Sequence, residues 1–315
     1  MHKLSILIAA HDEAQLETSL ISILQNRPRD CEIVVVHDGG YQDPYDLAEE
    51  VRFLPTPALQ DAAARLNVGV AECRAPVIHV LGCGAEVTDG WTNAAVAHFK
   101  DASVASVAPL VVSSDGAHVA AAGLEYRCGG RRVASKAGAP VTELAEDPQS
   151  TLGPTLAGAF YRRSALAAWS QPFSSVVGDR LTDVDLALRL ARRGHRAMFE
   201  PASRIVAPQP MAAGNALSEG WLAERLFWRH ADAMGVWKSC AAHLGLVMGE
   251  ALGTIVKPWQ APRFVGRLTG SIERVFCGRR IKADCQAAAD DDSAEEPICL
   301  PLNTMVRREQ ARRAA

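Results

Sequence analysis

The sequence predicts an α/β fold, with a mostly parallel central sheet, helices on both faces and a helical extension at the end. Three observations predict it. Short apolar, β-branched runs alternate with amphipathic stretches through about residue 210. Glycine, aspartate and proline punctuate the carboxyl ends of several of those runs. From about Ser218 the strand-like runs stop and only the helical pattern continues.

Leu4 to Ala10 reads as the first strand. The apolar run is only strand-long and acids follow at once, so a secretory signal, which needs a longer apolar region, is not expected. Glu13 to Gln25 sets Leu16, Leu20 and Leu24 on one helical face. Ile33 to Val36 is nearly continuous in β-branched residues, as a central strand would be, and Asp38-Gly39-Gly40 and Pro44 mark a loop after it. Val51 to Leu54, Val77 to Leu81 and Val104 to Val112 read as strands, and Gln60 to Glu72 and Gly90 to Phe99 as helices. The glycine-rich, basic segment from Gly123 to Gly138 reads as loops or an irregular hairpin. Leu156 to Tyr161 is a further strand, Asp183 to Arg193 a helix stopped at Gly194, and Ala197 to Glu200 a closing strand.

The expected domains are residues 1–215 as the α/β unit, 216–280 as the helical extension and 281–315 as a poorly ordered tail. In that tail Asp290-Asp291-Asp292 and Glu295-Glu296 are followed by a basic run from Arg307 to Arg313.

Hydrophobic residues make up 48% of the chain and charged residues 22%, an ordinary globular balance. A formal net charge of -3 argues against nucleic acid as a general partner. The cysteines are Cys31, Cys73, Cys83, Cys128, Cys240, Cys277, Cys285 and Cys299, with no C-x-x-C pair. Neither a zinc framework nor a disulfide scaffold is expected, and scattered reduced thiols suit a cytoplasmic location. Ser239 to Val256 is the most apolar later stretch, but His243, Glu250 and several glycines interrupt it. It reads as a packed or surface-lying helix rather than a membrane span.

Ligands of open α/β sheets bind beyond the carboxyl ends of the strands. There this sequence puts His11-Asp12-Glu13, His37-Asp38-Gly39-Gly40 and Gly82-Cys83-Gly84-Ala85-Glu86. Each group alone is ordinary turn chemistry. Together they make a polar, glycine-lined rim suited to a polar ligand.

The set also resembles family 2 glycosyltransferases, which have the GT-A fold of nucleotide-diphospho-sugar transferases. Ser5 through Glu13 is similar to the family's first strand and its Pro-x-x-Asn-Glu-like turn, with Ala9 in place of the proline and Asp12 of the asparagine. Glu32 through Gly39 resembles the second strand with its acidic pair; His37 stands at the first acid and Asp38 at the second. Asn67-Val68-Gly69 resembles the Asn-x-Gly of the following helix. Val77 through Trp91 resembles the Asp-x-Asp segment, and Thr182-Asp183-Val184-Asp185-Leu186 the catalytic-base helix. The resemblance covers roughly residues 4 to 210. It implies that a nucleotide-diphosphate sugar contacts Ala10, Asp12, Glu13, Asp38 and Asn67. Gly82, Cys83 and Gly84 would lie at the diphosphate, and Asp183 would take the proton of an unknown acceptor.

One part of the pattern is missing. The Asp-x-Asp acids fall on Gly82 and Gly84, and Ala207 stands where the family often has a metal-binding histidine. A hard divalent cation (Mn²⁺ or Mg²⁺) wants oxygen ligands, so none is expected to bind and no metal residue is assigned. Glu86 and Asp89 are the nearest remaining acids, and Arg127, Arg131 and Arg132 could neutralise a diphosphate instead. Three outcomes stay open: a metal-independent transferase, a protein that binds nucleotide-sugar without turnover, and a scaffold. Val80 to Gly84 also looks like the turn under S-adenosylmethionine in methyltransferases, although it follows three strands and lacks a third glycine. Asp183 is either the base or simply a first-turn acid, since Thr182 and Asp185 are spaced as a capping box. Trp221, Trp228, Trp237 and Trp259 mix with Arg225, Arg229, Lys238 and Arg263, which suggests peripheral membrane contact through the C-terminal helices.

Overall fold

In the computed structural model, residues 2–56, 61–127, 131–207, 215–231 and 236–273 are described. The expected tail and Cys128, Cys277, Cys285 and Cys299 lie outside them. Strands β1 (Leu4–Ala9), β2 (Cys31–His37), β3 (Val51–Pro55) and β4 (Val77–Leu81) pair in parallel in the order β3-β2-β1-β4. Helices α1 (Glu13–Gln25) and α2 (Ala62–Glu72) form the crossovers.

Beyond β4 the sheet becomes mixed. Strand β11 (Gly158–Arg162) inserts antiparallel between β4 and β6 (Val104–Val112). The order then runs to β12 (Arg196–Val206), parallel to β6, and to the short β10 (Gln149–Thr151). Two further strands, β5 (Glu86–Val87) and β7 (Val119–Ala121), pair with β12 and β6. Parallel character is thus strongest in the first half of the chain.

Alternation along β1 explains the two covered faces. Leu4, Ile6 and Ile8 enter one core with Leu16, Leu20 and Ile23 of α1 and with Trp91. Leu7 enters the other with Ala63 and Leu66 of α2 and with Leu186 and Leu190 of α5 (Thr182–Arg192). Burying one such side chain stabilises the fold by about 1.5–3 kcal/mol.

Asp12 starts α1 by accepting a hydrogen bond from the Gln15 amide at 2.8 Å. Gly69 lets α2 lie on β1, because a Cβ there would stand 2.2 Å from Leu7 Cδ1.

Two expected elements differ from those observed. The helix expected at Gly90 to Phe99 is shorter: α3 spans Asn93–Ala97, with a 3-10 turn over His98–Lys100. The closing strand is longer than Ala197 to Glu200. Its register shifts between Glu200 and Arg204 around Pro201, and pairing with β6 resumes beyond. Proline is tolerated at such a bulge, so Pro201 interrupts β12 without ending it.

The glycine-rich segment does form a hairpin, β8 (Leu124–Arg127) and β9 (Arg131–Ala134). After β12 come α6 (Ala216–Ala231), α7 (Val236–Val256) and helical residues 261–273. Leu226 of α6 packs with Leu181 and Val184 at the start of α5. Gly220 and Gly266 bring α6 and helix 261–273 into backbone contact. A Cβ on either would meet Arg263 O or Leu217 O at 1.8 Å.

Candidate active site

The parallel register carries the carboxyl ends of β1, β2 and β4 to one edge, with Ala9 beside Val36 and Ile8 beside Leu81. The polar groups expected after each strand therefore share that edge. A cleft of about 800 Å³ opens there. Its walls include His11 and Gln15, Gly82 and Cys83, Ser113, Thr155 and Ala207. The acids Asp179, Asp183 and Glu219 and the cations Arg131, Arg132, Arg180 and Arg263 also line it.

Asp183 sits in the first turn of α5 with 3% of its side chain exposed. Arg132 on β9 holds it with a forked contact, Nε donating to Oδ1 and Oδ2 at 3.1 and 3.0 Å and Nη2 to Oδ2 at 2.7 Å. Burial opposes the charge on Arg132, but the carboxylate outweighs it and the Arg132 pKa is raised. The capping box is not formed. Leu181 is the N-cap, Thr182 lies inside the helix with its Oγ1 unpartnered, and Asp185 turns away into the core. There Asp185 meets Arg189, Arg229 and His230 at 3.0, 2.7 and 2.9 Å. Burial would raise the Asp185 pKa, but these partners hold it below the usual carboxylate range. Of the two acids, only Asp183 is on the cleft wall.

The Gly82-Cys83-Gly84 turn is fixed by its neighbours. Gly82 N donates to Ala157 O at 3.1 Å, and Gly84 N to Ser19 Oγ at 2.9 Å. A side chain on Gly82 would press on the Ala157 backbone at 3.2 Å. The Cys83 thiol is buried, which raises its pKa, and it points at Asp12 O. A protonated thiol and a glycine turn do not fit a hard divalent cation. Glu86 and Asp89 are exposed and off the cleft wall. Among the described residues no three or more histidine, cysteine or acidic side chains gather as a metal site.

None of the five residues expected at the nucleotide is on the cleft wall. Ala10 is buried behind β1. Asp12 and Glu13 stay exposed at the start of α1, and Asp38 is exposed beyond β2 with Oδ1 accepting from Gly40 N at 2.9 Å. His37 is buried edge-on to Tyr41 and Phe53, and burial lowers its pKa. Asn67 is not on the cleft wall. Its amide clamps the Phe173 backbone, donating to the carbonyl at 2.7 Å and accepting from the N–H at 2.9 Å. Asn67-Val68-Gly69 thus acts in packing α2, not in lining the cleft.

Arg127, expected with Arg131 and Arg132, instead pairs with Glu125 at 3.3 Å. Arg263 was not expected at the site, because it lies beyond the α/β unit in sequence. Its Nε is buried without a partner, and burial and the like charges of Arg267 and Arg131 lower its pKa against the pull of Glu250.

The sequence profile described as Glycosyl transferase family 2 matches residues 5–169. The chain belongs to that family. It is 25% identical over 267 residues to the pre-mycofactocin glycosyltransferases of two Mycobacterium tuberculosis strains, covering 80% of this chain and 52% of each relative. It therefore spans about half the length of those relatives. Two solved structures share the fold. GalNAc-T7 with UDP, GalNAc and Mn²⁺ superposes with a TM-score of 0.55 at 14% identity, over 71% of this chain and 48% of that one. The mannosyltransferase PcManGT from Pyrobaculum calidifontis, with GDP-Man and Mn²⁺, gives 0.51 at 16% identity, over 93% and 88%. Both were solved with Mn²⁺.

Proposed function

We propose that this chain transfers a sugar from a nucleotide-diphosphate sugar to an acceptor hydroxyl without a divalent metal, using arginines in the metal's place. The observation that carries the reading is the cleft wall itself, where Arg131 and Arg263 stand beside the Arg132–Asp183 pair at the sheet's carboxyl edge. In the proposed step Asp183 accepts the acceptor's hydroxyl proton and the freed oxygen bonds to the anomeric carbon. The bond from that carbon to the diphosphate breaks, and its electron pair leaves with the nucleoside diphosphate. Arg131 and Arg263 face the departing charge, and Arg132 exchanges Asp183 for it. The proposal extends to a cytoplasmic location and peripheral contact with a membrane, in keeping with the exposed indoles of Trp237 and Trp259.

A second reading has its own observation. Arg132 occupies both Asp183 oxygens, which also suits a protein that binds nucleotide-sugar and does not turn it over. Thermal stabilisation by UDP and GDP, with and without Mn²⁺, tests the common part. One nucleotide is expected to raise Tm equally with Mn²⁺ or with chelator. A strong, chelator-sensitive gain would overturn the metal-free assignment, and release of nucleoside diphosphate from a donor sugar separates transferase from binder.

A further inference from the structure

Helix α7 is amphipathic in the inverted sense. Its His243 and Glu250 side chains face the protein. His243 bonds Glu224 at 2.6 Å, and Glu250 accepts from Arg267 at 2.8 Å. Arg267 is fully buried between Glu224 and Glu250. The outward face carries Trp237, Leu244, Met248, Leu252 and Ile255, continued by Trp259. These recur three, four or seven residues apart and so form one stripe. Trp237 is 89% exposed and Ile255 76%. A stripe of this length is too large to be scattered surface apolarity.

What covers it is indicated by charge and by the ends. Lys238 and Lys257 are exposed beside the two indoles and carry no salt bridge among the described residues. Both acids between residues 236 and 273, Glu250 and Glu273, are held by Arg267 and Arg225. The face therefore presents cations and no unpaired acid. Indoles at both ends of an apolar stripe, each with a lysine next to it, match the headgroup zone of an anionic bilayer. Among the described residues no helix is long and apolar enough to cross a membrane. The indoles Trp221 and Trp228 face inward, on Glu273 and Glu224 at 2.6 and 2.7 Å.

We infer that α7 lies in the plane of an anionic membrane surface, with the stripe from Trp237 to Trp259 sunk into it and Lys238 and Lys257 on acidic headgroups. The inference is independent of the transfer chemistry. The test is co-sedimentation of the whole chain with phosphatidylcholine vesicles, with and without phosphatidylglycerol, run beside a measurement of mass in solution. The wild type is expected to bind the anionic vesicles, and Lys238→Glu with Lys257→Glu to remove that preference. Leu244→Glu with Leu252→Glu should lower partitioning at least tenfold while leaving Tm and the nucleotide-induced shift unchanged. Protein that stays in the supernatant at low salt, or a Leu244→Glu/Leu252→Glu variant that binds like wild type, would sink the inference. So would a wild-type dimer that this variant splits, since a second copy would then be the cover.

Discussion

Replacing Asp183 with asparagine separates the two roles open to it. The substitution keeps the shape and one acceptor oxygen but removes the charge that Arg132 grips through both oxygens. A charged hydrogen bond left without its partner in a buried setting costs about 1–3 kcal/mol. Arg132 is 30% exposed toward the cleft and can recover water, so the lower half of that range is expected. At roughly 2–4 °C per kcal/mol for a large domain, Tm should fall by a few degrees. That is more than the 0.3–1 kcal/mol typical of a first-turn acid on an exposed helix, which sequence alone suggests. Loss of a general base costs about 10²–10⁴ in rate. The assay is release of UDP or GDP from a panel of donor sugars, with Arg132→Met and the double variant alongside. Asp183→Asn should lose at least a hundredfold in turnover and still show the nucleotide-induced rise in Tm. If it keeps turnover within a few-fold of wild type, Asp183 is a structural partner of Arg132 and the proposed base is wrong.

Removing the unpartnered cation with Arg263→Met should weaken UDP or GDP binding by about tenfold, the scale of one charge-assisted contact, in isothermal titration; unchanged affinity would show that the guanidinium does not face the ligand. His79 is buried against Phe160, and burial pushes its pKa down to about 3. Folding thus favours the neutral ring, so its contribution is whole above the unfolded value near 6.5 and drains away as pH falls toward 3, a loss of about 2 kcal/mol by pH 5. Melting curves should show wild type falling more steeply than His79→Leu between pH 7 and 5, and parallel curves would count against it. Gly69→Ala, whose methyl meets Leu7, should cost about 1–3 kcal/mol in urea unfolding, and an unaltered midpoint would mean that α2 shifts freely on β1.

The parts of the fold that could be read from the chain are those with local causes. The runs Val77–Leu81 and Val104–Val112 are mostly apolar, and the structure begins and ends them at the expected residues. The closing strand expected to stop at Glu200 runs on, because Pro201, locally a strand breaker, sits at a bulge held by pairing on both sides. The same division runs through the site. The motif drew notice to Asp183 and the structure puts it on the cleft wall, but Arg132 lies 51 residues away and no spacing ties the two. Asn67 and Asp185 carried motif signals that packing has taken up, the one on Phe173 and the other in an arginine and histidine cluster. Arg263 had no signal, since only the contact between α6 and the following helix brings it to the cleft.

That contact bears on where the chain can be cut. With glycines at 220 and 266 the two helices meet backbone to backbone, so neither slides without parting from the other. A fragment ending near residue 215 would keep the sheet and the strand-end turns. It would bare Leu181 and Val184, which α6 covers, and leave one wall of the cleft open. On the proposed reading, the shortest piece of this protein expected to grip a diphosphate is then not the sheet with its flanking helices. It extends at least through Gly266, so the helical segment is a wall of the cleft and not an appendage to the sheet.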